Sequence, residues 1–264
     1  MPLFVYSMLL GAFILGAVVG SFLNVCIYRV PAGESIVSPG SRCPHCGTPI
    51  RWYQNIPILS YLFLRGRCAA CGKGISPRYA LVEALTGVLF TLVLWYFAFS
   101  PATVIYWVFC AALVAITFID LDHRIIPNSI SLPGIPAGFA CSFFIPWLTW
   151  QDSLLGIIVG GGSLWLVAFG YEKLTGVEGM GMGDVKLLAM IGAFLGWPAV
   201  LLVIFFGSVL GTLVGVPLMI AKRAGGKLAI PFGPFLAMGA LVELFWGPAL
   251  LDWYLGLFRI SGGG

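Results

Sequence analysis

Only ten of the 264 residues are acidic, and four of those ten fall in two short stretches. Asp120 and Asp122 lie in 119–128 (Ile-Asp-Leu-Asp-His-Arg-Ile-Ile-Pro-Asn), and Glu178 and Asp184 in 178–186 (Glu-Gly-Met-Gly-Met-Gly-Asp-Val-Lys). Each stretch sits where a long apolar run meets a polar segment. A charged side chain at mid-membrane costs roughly 2.5–3.5 kcal/mol on insertion scales, so an acid near such a border asks for a use. Two aspartates facing each other there are the raw material of acid–base hydrolysis. One carboxylate takes a proton from water, while its protonated partner polarises a carbonyl and later protonates the leaving amine. Asp120 and Asp184 are the principal candidates, and which of them is the base stays open because such a pair titrates as a unit. Asp122 and Glu178 are the reserves. Asp184 also has a purely structural reading, as the cap of a helix starting near Val185. That reading leaves Gly179, Gly181 and Gly183 unexplained. The glycine spacing matches neither a dinucleotide fingerprint nor a Walker pattern, which excludes a phosphate loop.

A second chemical cluster is formed by cysteine. Cys43-Pro-His-Cys46 and Cys68-Ala-Ala-Cys71 are two C-x2-C knuckles with 21 residues between them. Four thiolates at this spacing suit a closed tetrahedral zinc site, structural because no position is left for water. His45, between two ligands, reads as a surface residue. Cys26, Cys110 and Cys141 lie in apolar runs as packing residues.

The elements that position these groups follow from composition. With 60% hydrophobic and 9% charged residues and a mean hydropathy of +1.02, the chain reads as an integral membrane protein. The net charge of +4 concerns topology, since no basic run is dense enough for nucleic acid. Apolar runs predict about eight transmembrane helices, near 3–28, 80–99, 102–119, 132–149, 153–172, 186–197, 198–220 and 234–256. The break at Gly196-Trp197-Pro198 leaves open whether one kinked span or two short ones occur there. The first stretch has no basic residue before it and Arg29 just after it, so it reads as a retained helix and not a signal peptide. Three parts result: a first helix at 1–28, a polar four-cysteine zinc-binding segment at 29–78, and a membrane core at 79–260. The fold class is all-α and polytopic, with a small cytoplasmic zinc-binding loop domain. Gly16-x3-Gly20 and Gly207-x3-Gly211-x3-Gly215 mark close helix packing, and no repeat of 20–50 residues is expected.

If 29–78 is cytoplasmic, alternation of spans puts thirteen of the fourteen basic residues inside and only Arg259 outside, a strong positive-inside pattern. Asp120 and Asp184 then share the cytoplasmic side. Placement in a reducing compartment argues against disulfides among the four cysteines.

Gly-x-Gly-Asp184, with Asp120 and Pro127-Asn128 upstream, resembles the bacterial type IV prepilin peptidases (leader peptidase/N-methyltransferases), a branch of the GxGD membrane aspartyl proteases. Residues 20–31 resemble that family's first-helix signature. Ser41 to Cys46, Asn55-Ile56-Pro57, Gly66-Arg67-Cys68 and Ser76 to Glu83 resemble its cysteine loop, and 230–235 (Ile-Pro-Phe-Gly-Pro-Phe) completes the likeness. The resemblance implies Asp120 and Asp184 as the catalytic pair, cleavage of basic leaders from type IV prepilins and type II secretion pseudopilins, and residence in the bacterial inner membrane with the active site toward the cytoplasm. It further implies methylation of the new N-terminus with S-adenosylmethionine. Nothing in the chain shows a nucleotide-binding βαβ pattern for that cofactor. Asn24, Arg29, Asn55, Arg78 and Glu83 match polar positions of the family's motifs, as cofactor or substrate contacts or as groups that hold the loop on the bundle. Glu243 is a further buried acid, expected to be paired or snorkelling.

Two other classes use the same residues. A cation or proton transporter would employ the Asp pair for transport, although both lie at helix ends and not at the bilayer midplane. A zinc-stapled scaffold would need the aspartates only as caps.

Overall fold

Inside a bilayer an apolar run must satisfy its backbone hydrogen bonds internally, which a helix does residue by residue. The structure, a computed structural model describing residues 3–176, 181–221 and 230–261, is accordingly helical. Its helices are α1 (Leu3–Arg29), α2 (Leu59–Phe63), α3 (Arg78–Phe97), α4 (Pro101–His123), α5 (Asn128–Ser142), α6 (Trp150–Thr175), α7 (Met182–Leu195), α8 (Trp197–Ala221) and α9 (Gly233–Ser261). The eight expected apolar helices are all present, and α2 adds a short turn of helix within the cysteine segment. Six of them (α1, α3, α4, α6, α8 and α9) are long and apolar enough to cross a membrane. The other two, α5 and α7, have 15 and 14 residues. At about 1.5 Å per residue they reach only about 22 Å, short of a hydrocarbon core of about 30 Å. The uncertain break resolves into two helices. Gly196 takes a left-handed φ of +86° between α7 and α8, and Pro198 falls in the first turn of α8, where a missing N–H costs little.

The chain divides into two compact units, Met1–Ile119 and Asp120–Gly264. In the first, the expected glycine stripe of α1 packs against α3. A Cβ on Gly16 would lie 2.6 Å from the Thr86 carbonyl oxygen, and one on Gly20 would lie 2.7 Å from Glu83 Cα. Only hydrogen fits there. α3 continues to α4 through Phe90 and Trp107, whose rings stack at 5.1 Å while the indole N–H donates to the Phe90 carbonyl.

Between α1 and α3 lie the two knuckles, and here a repeat does exist. Cys43 N–H donates to Thr48 O, Gly47 N–H to Cys43 O and Ile50 N–H to Ser41 O; Cys68, Gly72 and Ile75 make the same bonds to Lys73, Cys68 and Gly66. Gly47 and Gly72 both take φ of +70°. Each position in one knuckle matches a position 25 residues on, so the expected lack of a repeat at 20–50 residues is corrected. Only the cysteines, the glycine behind each pair and the Arg and Ile flanks are shared in sequence; the rest of the likeness is backbone hydrogen bonding.

In the second unit α7 is the hub. Val185 and Leu187 to Phe194 are buried, and α5, α6, α8 and α9 all pack against it. Gly156 and Gly160 of α6 let its backbone approach the carbonyls of Gly192 and Leu188, and Ser153 Oγ donates to Ala193 O at 2.7 Å. This i, i+4 glycine pair carries the tightest packing of the unit. The Gly207–Gly211–Gly215 stripe of α8 meets the start of α9 mostly at ordinary contact distances, 3.4–3.5 Å to Phe235 from the first two glycines.

Candidate active site

Asp120 sits in the last turn of α4, and the chain then turns through Arg124 and Pro127 into α5. The turn is tight: Arg124 N–H donates to Asp120 O at 2.8 Å and Arg124 takes a φ of +56°. Pro127 caps the start of α5 in extended geometry, as its fixed φ favours. Asp184 occupies the first turn of α7, after the extended N-cap Gly181. The helix begins at Met182, three residues before the start near Val185 that a capping role for Asp184 needs, so Asp184 is not the cap. It lies inside the first turn, where the exposed N–H groups and the helix dipole favour a negative charge.

Three further contacts bring the two aspartates together. Gly233, the first residue of α9, donates its N–H to Asp120 Oδ2 at 3.1 Å. A Cβ on Gly233 would fall 2.6 Å from the same oxygen and 3.2 Å from Ile126 Cδ1, and a Cβ on Gly183 would fall 3.0 Å from Ile126 Cβ. Ile126, in the turn after Asp120, is thus the common neighbour of the glycine beside Asp184 and of the glycine that holds Asp120. Lys186 Nζ donates to Asn128 Oδ1 at 2.9 Å, tying the Pro-Asn end of the first stretch to the second. The charge of Asp120 reaches the Asp184 carboxyl. Asp120 itself is 4% exposed.

Gly233, Ile126 and Asn128 stood in the sequence as motif letters without roles. The available signal for Gly233 was a glycine opening an apolar run. Of the reserves, Asp122 is exposed on α4, and Glu178 lies outside the described residues. Glu243 is half-buried. Its Oε2 is buried with no hydrogen-bond partner among the described residues, and its carboxyl lies against Gly247 of the same helix.

In the first unit the sulfur atoms of Cys43, Cys46, Cys68 and Cys71 all lie within 4.8 Å of one another, with Cys43 and Cys71 at 3.9 Å. Zinc–sulfur bonds of about 2.3 Å in a tetrahedron put sulfur atoms roughly 3.8 Å apart, so the four fit a zinc ion. They are not bonded to each other. The Thr48 hydroxyl and N–H lower the Cys46 thiol to about 6 and backbone N–H groups of Cys71 and Ala70 lower that of Cys68, while burial and the neighbouring sulfurs push Cys71 up to about 11; two of the four are thus favoured as the thiolates a metal requires. His45 is exposed and outside the cluster.

The five polar positions near the membrane border separate by what they touch. Asn24 Nδ2 donates to Tyr79 O, and Arg78 Nη2 donates to Phe118 O with its guanidinium over the Phe118 ring. Arg29 donates to the carbonyls of Ser35 and Pro39. Glu83 is buried and accepts the Ile58 N–H at 2.7 Å. Asn55 is exposed.

A polytopic helical membrane protein with two aspartates brought together at helix ends is the class these features define. The comparisons narrow it. Residues 14–97 match the bacterial peptidase A24 N-terminal domain and residues 107–216 match the type IV leader peptidase family. The chain is 39% identical to a protein of Stutzerimonas stutzeri, over 96% of both chains. It is 42% identical to one of Neisseria gonorrhoeae, over 88% of both, and 37% identical to one of Pseudomonas aeruginosa, over 92% and 91%. Each of these relatives is named prepilin leader peptidase/N-methyltransferase. No solved structure matches the chain. The chain belongs to the type IV leader peptidase family.

Proposed function

We propose that this protein removes the leader from type IV prepilins and type II secretion pseudopilins and then N-methylates the residue it exposes, with Asp120 and Asp184 as the catalytic pair. The observation that supports the reading is the approach of Ile126 both to Gly183, the neighbour of Asp184, and to Gly233, whose N–H donates to Asp120. Two carboxyls within reach of each other's charge hold one proton between them. The ionised one takes a proton from water as the water oxygen bonds to the peptide carbonyl carbon. The protonated one donates to the carbonyl oxygen. Collapse of the tetrahedral centre breaks the C–N bond, and a proton passes to the departing amine. Gly233 N–H fixes the orientation of the Asp120 carboxyl during these exchanges.

The distribution of basic residues supports a cytoplasmic position for these helix ends. A basic leader stays in that compartment while the apolar segment behind it enters the bilayer, so the cut falls at the depth of the two aspartates. The exposed α-amine is the methyl acceptor. S-adenosylmethionine, when bound, supplies a methyl group activated by its sulfonium. Cys43, Cys46, Cys68 and Cys71 would hold zinc, which fixes a segment of some 50 residues that has little apolar core of its own.

The test is mass spectrometry of a prepilin incubated with the purified protein and S-adenosylmethionine. Loss of the leader with one added methyl is the expected result. If Asp120→Asn and Asp184→Asn both still process the prepilin, the assignment of the pair is wrong. Ion flux in liposomes without any peptide substrate would favour a transporter instead.

A further inference from the structure

We infer that the methyl donor binds in a cavity of the first unit, between the C-terminal half of α1 and the two loops 36–41 and 52–57. This deepens the reading above and rests on its methyl-transfer half. The cavity measures about 530 Å³, within the roughly 300–1,000 Å³ of small-molecule sites. Its lining offers partners for the carboxylate, the purine and the ribose of an adenosyl sulfonium amino acid. Arg29 has five N–H donors and uses two of them, on the Ser35 and Pro39 carbonyls; the rest can pair with an α-carboxylate. Trp52 is 80% exposed and presents an indole face on which a purine stacks. The side chains of Asn55 and Ser41 line the same space, and neither has a hydrogen-bond partner among the described residues. They are free for the ribose and for the edge of the base. Phe22 and Val25 of α1 supply an apolar floor.

One wall is held in an unusual way. Ile58, which follows the lining residues Ile56 and Pro57, takes a left-handed φ of +62°. A β-branched residue adopts that conformation only when its surroundings impose it. Its N–H donates to the buried Glu83 of α3 at 2.7 Å. Glu83 is therefore a positioning residue for this wall. The five polar candidates thus fall into three groups: Arg29 and Asn55 in the cavity, Glu83 behind it, and Asn24 and Arg78 on backbone carbonyls elsewhere in the same unit.

The experiment is calorimetric titration of the full-length protein in detergent with S-adenosylhomocysteine, joined to photocrosslinking with radiolabelled S-adenosylmethionine and peptide mapping. Trp52→Ala and Asn55→Ala should each weaken binding about tenfold, with unchanged circular-dichroism melting. Trp52→Phe should stay within about threefold of the parent protein. Glu83→Gln, which keeps an acceptor for Ile58, should bind better than Glu83→Ala. The crosslink should map within 18–57. Unchanged affinity in Trp52→Ala and Asn55→Ala, or a crosslink in the second unit, overturns this location while leaving the methyltransferase reading standing. A parent protein that cleaves prepilin but binds no S-adenosylhomocysteine overturns the methyltransferase reading, and this inference with it.

Discussion

The two units solve opposite problems. In the second, chemistry is proposed for carboxyls that backbone packing brings together. α7 is almost wholly buried, glycines let α6 touch its carbonyls, and Asp120 takes an N–H from the first residue of another helix. In the first, the cysteine segment has no β-sheet, only a 3-10 turn at Trp52–Gln54 and the short α2 as regular structure, and it is tied by four sulfurs and a few polar contacts. A site made by helix packing tolerates no added atom. A site made by loops depends on the staple that holds them.

That contrast can be tested by damaging each region in turn. The largest effect is expected from Asp120→Asn or Asp184→Asn, which should cut leader removal by about 10³-fold or more while S-adenosylhomocysteine binding persists. Loss of both properties would mean that the two regions are not separable. Next comes the staple. Chelation, or Cys43→Ser, should open 29–78 to limited proteolysis and abolish methylation, with a smaller loss of cleavage; unchanged proteolytic protection would refute a structural metal.

Gly233→Ala should act on the packed site alone. Its Cβ would sit 2.6 Å from Asp120 Oδ2, so the carboxyl must move, and cleavage should fall by about 10- to 100-fold in kcat with little change in melting. Gly183→Ala, against the side chain of Ile126 at 3.0 Å, should do less because a side chain yields more readily than an oriented carboxyl. The smallest effect is expected at Asn128→Ala. Removing one hydrogen bond to Lys186 should cost about 1 kcal/mol, read as a severalfold loss of cleavage. A larger loss would show that Lys186 acts on substrate.

The sequence alone carried the class of the molecule and the identities of its reactive groups. Hydropathy determines that apolar runs bury their backbone in helices, whatever packs beside them. Scarce acids at run ends stand out because membrane burial of charge is costly. Four cysteines in two knuckles announce themselves because their geometry is local. The helix count was legible for the same reason, but not that α5 stops at Ser142, several residues short of the apolar run that suggested it, nor that the left-handed Gly196 separates α7 from α8 within one continuous apolar run. Packing decided the rest. That Gly233 binds Asp120 across 113 positions of chain, that Gly156 and Gly160 carry the tightest contact, and that Glu83 holds a left-handed Ile58 are relations between distant backbones. No local pattern encodes them, because each depends on which small residue faces which carbonyl once the helices have come together.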